Sequence, residues 1–357
     1  MSSLPLFDSI DSGSPTPELC SDRLVGIARL AAEGESIREG HQVEYFTLQA
    51  RSLLNRCTVA RMPFTWTINP YRGCEFACKY CYARYTHEFM ELGDLEFERK
   101  IFVKQQAAQL LRRDLRRVKP HEEIALGTAT DPYQPAEKRH QVTRSILEVL
   151  AECRGLRLGI VTKSNLILRD LDILQQIQER NHLHVSLTVT TTNSDLARIL
   201  EPRAPRPDLR LQTVSRLVNA GVSAGVIVAP VVAGITDSRE ALEALVRAVA
   251  EAGGQDIFAN PLFLKPCSAT IFLPFLEQNF PELVADYRRR YQGRAFVSSA
   301  YRKQSSELMS HLRKKYGFAS RSHRKRNEAA PTFGGSRLAP GSETRSESQM
   351  SLFPVAS

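Results

Sequence analysis

The chain has 357 residues, of which 42% are hydrophobic and 24% charged, with a formal net charge of +9. That balance suits a soluble globular protein built as one large domain with appendages or as two modest ones. No apolar run is long enough to span a bilayer, and the N-terminus lacks the basic start and apolar block of a secretory signal. Seven scattered cysteines, an odd number, argue against a disulfide framework and for a reducing cytoplasm, where clustered cysteines bind metal.

Residues 1–40 begin with Ser, Pro, Asp and Gly and are expected to be a mostly disordered lead-in. From 41 to 280 the chain alternates β-rich runs with helical ones. The runs are FTWTIN (64–69), EIALGTAT (123–130), LRLGIVT (156–162), LHVSLTVT (183–190), VSAGVIVAP (222–230) and DIFANP (256–261). Between them lie helically spaced stretches such as VKQQAAQLLRRDLRRV, VTRSILEVLAEC, LILRDLDILQQIQER and SREALEALVRAVAEAG. This is an α/β pattern of parallel strands with right-handed crossovers. Six units predict a partial (β/α)6 barrel, with an open doubly wound sheet as the alternative. Either architecture gathers reactive groups at the carboxyl ends of the strands.

Two basic helical segments are expected within 281–316, followed by a disordered tail over 317–357. From Asp286 to Glu328 there are thirteen Lys or Arg against three acids, so the positive charge is concentrated there. Such a region suggests an anionic partner, nucleic acid being the commonest large one, or else a solvated helix face.

Chemistry enters at NPYRGCEFACKYCYARY, where Cys74, Cys78 and Cys81 fall directly after the first strand. Three thiolates from one loop leave one coordination position open. Structural zinc would need a fourth ligand, for which His87 and Cys57 are candidates. A cubane iron–sulfur cluster held by three cysteines would keep one iron free for a chelating molecule.

The C-x3-C-x2-C spacing, the aromatic Tyr80 before the last cysteine and the position after the first strand resemble the radical S-adenosylmethionine enzymes. The resemblance implies a [4Fe-4S] cluster on Cys74, Cys78 and Cys81 whose open iron binds S-adenosylmethionine. Reductive cleavage then yields a 5′-deoxyadenosyl radical. It also implies an electron donor for the cluster. Further motifs, GTATDPYQPAE, VTKS, SLTVTT, ARILEPRAPRPDLRLQTVSRLVNAGV and APVVAGITD, are similar in order to the branch related to spore photoproduct lyase, often labelled DNA repair photolyase-like.

By that resemblance Thr130 and Asp131 approach the methionyl group, Lys163 lies near the cofactor carboxylate and Ser186 near the ribose. Read alone, Ser186 could satisfy backbone in a strand and Lys163 could be a solvated loop charge. The family's donor cysteine falls near Thr128, where this chain has none, so spore photoproduct repair is not assigned. Tyr80 and Tyr82 match tyrosines of the family's hydrogen relay. Cys267 is a further candidate donor, or else a small buried hydrophobe. Arg203, between two prolines, would present its guanidinium to an anion or pair with Glu201.

In the tail, QMSLF resembles the pentapeptide that docks bacterial DNA polymerases and repair proteins onto the sliding clamp. It would act through Gln349, Met350, Leu352 and Phe353, the apolar residues ordering on binding. A chance match, or a tail packing back on its own domain, is the other reading, and SLPLF at Ser3 to Phe7 is a weaker echo. The functional expectation is a radical S-adenosylmethionine enzyme acting on nucleic acid, lyase-like and related to DNA repair. Its rivals are the same chemistry on a protein or small metabolite, and a non-catalytic clamp-associated module with a structural cluster.

Overall fold

A computed structural model describes residues 25–318, except 33, 35, 41–42 and 60–61. Eleven strands are formed among the described residues: β1 Ser36–Gly40, β2 Val43–Leu48, β3 Leu54–Arg56, β4 Trp66–Ile68, β5 Tyr71–Arg72, β6 Lys100–Lys104, β7 Glu123–Leu126, β8 Arg157–Thr162, β9 His182–Thr188, β10 Ala224–Val231 and β11 Ile257–Pro261. They make a seven-stranded sheet in the order β11-β10-β9-β8-β7-β4-β3 and a four-stranded sheet in the order β1-β2-β6-β5.

In the larger sheet β4, β7, β8, β9, β10 and β11 run parallel, and these are the six runs read from the sequence. Their order along the chain is their order in space, with no reversal. A doubly wound sheet requires a reversal, so the alternative falls and the open, barrel-like arrangement stands. β3 pairs antiparallel with β4, and among the described residues no pairing joins β11 to β3.

Alternation explains why these segments are strands. In β8 Leu158, Ile160 and Thr162 are buried, and in β9 Leu183, Val185 and Leu187 are buried, while residues between them face the other side. The helices supply matching stripes, such as Leu242, Leu245, Val246 and Val249 of Arg239–Glu251. Its start is fixed by Ser238, whose hydroxyl accepts from Ala241 N at 3.1 Å. One large core lies between sheet and helices. A second unites Cys74, Cys78 and Tyr80 with Phe272, Phe275, Leu276 and Tyr287 of the C-terminal helices. A fully buried phenylalanine such as Phe272 contributes about 3–5 kcal/mol against truncation to alanine.

The four-stranded sheet departs from the sequence expectation. The helix Gly26–Ala32 and strand β1 fall inside the stretch expected as lead-in, and Val103 and Lys104 complete β6 where a helix was read. Gln106, at φ +58° and therefore left-handed, turns the chain before the helix Ala107–Asp114 begins. After β11 come the helices Pro266–Asn279, Val284–Arg290 and Ser299–Lys315. The last buries Met309 and Leu312 in the main core, so it belongs to the body of the fold. Residues 319–357, with Gln349, Met350, Leu352 and Phe353, lie outside the described residues. No helix among the described residues is long and apolar enough to cross a membrane.

Candidate functional site

The three cysteines occupy the loop after β5, above the carboxyl end of β4. Gly73 opens it with φ +83°, and a Cβ there would stand 2.6 Å from Lys100 O and 2.9 Å from Phe97 O, so only glycine fits. Cys74 N donates to the same Phe97 O at 2.9 Å. Thr130 Oγ1 and Gln134 Nε2 both donate to Gly73 O, at 2.6 and 3.2 Å, and Glu75 N donates to Gln134 Oε1 at 3.0 Å. Lys79 N donates to Leu200 O at 2.9 Å, the buried Arg84 donates to Cys78 O at 3.2 Å, and Ser268 Oγ to Cys81 O at 2.9 Å. The loop is thus clamped by segments distant in sequence before any ligand binds.

Cys74 and Cys78 are buried and Cys81 partly so. Burial drives the Cys74 thiol well above its ordinary range, with Asp131 and the other two cysteines adding to the effect. Burial likewise lifts Cys78 to about 12, opposed by the Lys163 ammonium and assisted by Glu201. Cys81 also rises, again through burial first, against the pull of Arg84. Free thiols in this loop therefore hold their protons at neutral pH and would release them on binding iron.

Among the described residues no three His, Cys, Asp or Glu side chains converge as ligands of a single ion. His87 is buried, with Nε2 3.0 Å from Lys100 O and its ring edge-on to Phe97 and Phe102, so it is a packed core residue. Cys57 is likewise in no such group. A single-ion zinc site completed by either residue is not formed. A cubane distributes its three thiolates over separate irons and needs no common point, so the donor set fits the cluster.

Behind the loop lies a buried polar triad. Glu201 accepts from the Tyr80 hydroxyl and from Thr190 Oγ1 at 3.2 Å, and it forms an ion pair with the Arg210 guanidinium. Arg210, fully buried, also donates to Pro205 O at 2.7 Å and Thr188 O at 3.0 Å. Burial alone would raise the Glu201 carboxyl, but Arg210 and Lys163 outweigh it and hold it below the usual range. Lys163 stands with its ammonium 5.7 Å from the Tyr80 ring centroid. Burial works against that charge, yet Glu201 and Asp131 favour it and hold the ammonium above its ordinary range. Glu201 and Asp131 together face Arg210 and Lys163, and the Lys163 ammonium acts on Cys78 and Cys81 of the loop.

Sequence reading missed this triad and considered Arg203 for Glu201. The signal was present, because Arg210 shares a helical stripe with Pro207, Thr213, Val214 and Leu217, all buried. An arginine on an apolar stripe implies a buried acid. Arg203 N donates to Phe76 O at 3.3 Å, and its guanidinium favours the charged form of Glu75.

The remaining site residues are distributed as follows. Thr130 is engaged with Gly73, and Asp131 accepts from Tyr133 N at 2.9 Å, Thr162 Oγ1 at 2.6 Å and Lys163 N at 2.7 Å. Both side chains therefore position the cysteine loop and the Lys163 turn. Ser186 is half-buried on the inward face of β9, between Val161 and Gly225 of the neighbouring strands. Tyr82, exposed at the mouth, donates to Thr128 O, which places it beside the position where the family's donor cysteine would fall. Cys267 is buried at the start of Pro266–Asn279, and burial with the nearby Glu88 lifts its thiol to about 11. Its Sγ lies 3.9 Å from Ser268 Oγ, and Ser268 in turn holds Cys81.

The family model for the radical SAM superfamily matches residues 68–247. The chain belongs to the radical SAM superfamily. An uncharacterized protein of Mycobacterium tuberculosis is 35% identical over 280 residues, covering 78% of this chain and 82% of its own. An uncharacterized protein of Methanocaldococcus jannaschii is 27% identical over 244 residues, covering 68% and 85%. A spore photoproduct lyase structure with bound AdoMet and dinucleoside spore photoproduct shares 17% identity. It superposes with a TM-score of 0.57 over 83% of this chain and 86% of that one. At that identity the likeness concerns the fold.

Proposed function

We propose that the protein is an enzyme that cleaves S-adenosylmethionine reductively at a [4Fe-4S] cluster and acts on nucleic acid. The observation that carries the first half is three thiols, two buried and one partly so, on one pre-clamped loop beside the Lys163 ammonium at the carboxyl ends of parallel strands. Cys74, Cys78 and Cys81 hold the cluster in this reading. Bound there, cluster and cofactor supply a 5′-deoxyadenosyl radical for hydrogen abstraction. Lys163 would meet the anionic end of S-adenosylmethionine, and Ser186, lower on the inward face, its sugar. Thr130, Gln134 and Asp131 keep loop and lysine in register. Tyr82 is set at the mouth, and Tyr80 is withdrawn behind the loop with its proton held toward Glu201.

Support for the second half is electrostatic. Arg288, Arg289, Arg294, Arg302, Lys303 and Lys314 are all exposed on the C-terminal helices and the turn between them. Affinity for an oligonucleotide should then fall steeply with salt. Binding that does not change from 50 to 200 mM salt would remove nucleic acid from the proposal. A cytoplasmic location, a one-electron donor and clamp docking through Gln349, Met350, Leu352 and Phe353 complete the reading. Replacing Leu352 and Phe353 with alanine should abolish capture of a bacterial sliding clamp, and unchanged capture would refute docking.

A further inference from the structure

Among the described residues the exposed large hydrophobic side chains include three aromatics, Tyr82, Phe89 and Phe296. Isolated exposed rings are ordinary on a protein surface. These three belong to one series. Phe296 stacks on Phe263 with centroids 4.5 Å apart, and Phe263 meets Tyr82 at 6.1 Å. Tyr82 stacks on Tyr85 at 6.4 Å, and Tyr85 meets Phe89 edge-on at 5.7 Å. The series passes Cys81 at Tyr82, so it leads from the surface to the cysteine loop.

The rings are fixed before anything binds. The Tyr82 hydroxyl is tied to Thr128 O. Phe263 and Phe296 form a β-bridge, and Leu264 N donates to Ala295 O at 2.9 Å. Charge divides the series in two. Lys265 places its ammonium 4.0 Å from the Tyr85 centroid, and the exposed Arg294 lies two residues before Phe296. Glu88 and Glu91 flank Phe89 at the opposite end. An anionic chain is therefore favoured along Phe296, Phe263 and Tyr82 and disfavoured beyond Tyr85.

We propose that Phe296, Phe263 and Tyr82 form a stacking platform for unpaired nucleotides, which carries an exposed base toward the cysteine loop. Pre-fixed rings with adjacent cations suit bases freed from a duplex, because every base offers a flat face whatever its sequence. Duplex DNA, its bases already stacked, presents phosphates and groove edges and would engage only the basic helices. The inference rests on the nucleic-acid reading above and specifies which form of nucleic acid the mouth accepts.

The test uses the full chain with its cluster reconstituted anaerobically. Fluorescence anisotropy compares a labelled single-stranded oligodeoxynucleotide with the matching duplex. Phe296→Ala should weaken single-strand binding roughly 5- to 150-fold, the effect of losing one stacked base, and leave duplex binding within about twofold. Phe296→Tyr, which keeps the ring, should bind as the parent does, and far-UV circular dichroism checks that both variants fold. Equal loss for both probes, or loss for neither while binding stays salt-dependent, would overturn the platform and leave the nucleic-acid reading standing. Absence of salt-dependent binding to either probe would overturn both.

Discussion

The two ends of the parallel sheet each bury an acid beside a base, with different results. At the carboxyl end, Glu201 is held by Arg210 and Tyr80 behind the cysteine loop. At the amino end, Asp256 lies 3.3 Å from His184 Nε2, and His184 Nδ1 is 2.9 Å from Ser223 Oγ, which donates to Gln255 at 2.7 Å. A Cβ on Gly225 would collide with Asp256, so the glycine makes room for the carboxylate. The carboxyl-end network adds Lys163 and Asp131, and the lysine acts on Cys78 and Cys81. The amino-end pair lies at the strand starts, at the opposite end of the sheet from the cysteine loop. Charge at one end stands beside the cysteine loop, while at the other it lies at the strand starts.

Substitutions should separate the two ends, and the largest effect belongs to the cysteines. Cys78→Ala should abolish the visible absorption of the reconstituted cluster and all 5′-deoxyadenosine formation, with far-UV circular dichroism unchanged. Glu201→Gln comes next. It leaves Arg210 buried without its counter-charge and should cost about 3–5 kcal/mol in urea unfolding. It should also slow cofactor cleavage, because Tyr80 and Lys163 lose their common partner. A variant that is destabilised but cleaves at the parent rate would make the triad purely structural.

Lys104 sharpens the comparison from the four-stranded sheet. It is 5% exposed, and burial with Arg72 beside it depresses its ammonium to about 7. The unfolded chain then binds more protons than the folded one between about pH 7 and the ordinary lysine range, so this penalty is fullest below pH 7 and fades as pH rises. Lys104→Met should stabilise the protein at pH 7 by about 2–4 kcal/mol and flatten the rise in stability toward alkaline pH. An unchanged slope in unfolding measured across pH 7–10 would show that Lys104 is not the cause. The smallest effect is expected at the amino end. Asp256→Asn should cost about 1–2 kcal/mol and leave 5′-deoxyadenosine formation at the parent rate. A lost rate there would erase the contrast between the ends.

The six parallel strands and the cysteine loop were legible because their signals are local: apolar alternation, helical stripes, and three thiols within eight residues. The four-stranded sheet was not. Its strands are two to six residues long, and its middle pair joins Val43–Leu48 to Lys100–Lys104 across a long intervening segment. Short segments with distant partners carry little periodicity, and Val103 and Lys104 lead into a helical stretch that masks the strand. The cysteine loop was legible, and its supports were hidden. Gln134 and Arg210 look ordinary in sequence, and only the fold brings them to Gly73 and Glu201. Thr130 and Asp131 lie in the loop after β7, where their side chains hold the protein's own backbone.

The central claim is that the clamped loop supports reductive cleavage of S-adenosylmethionine. Its most direct measurement is anaerobic reconstitution with iron and sulfide, followed by dithionite and S-adenosylmethionine, with 5′-deoxyadenosine quantified by chromatography. The parent protein should release 5′-deoxyadenosine and Cys78→Ala none. A spectroscopically intact [4Fe-4S] cluster that releases no 5′-deoxyadenosine would contradict that claim.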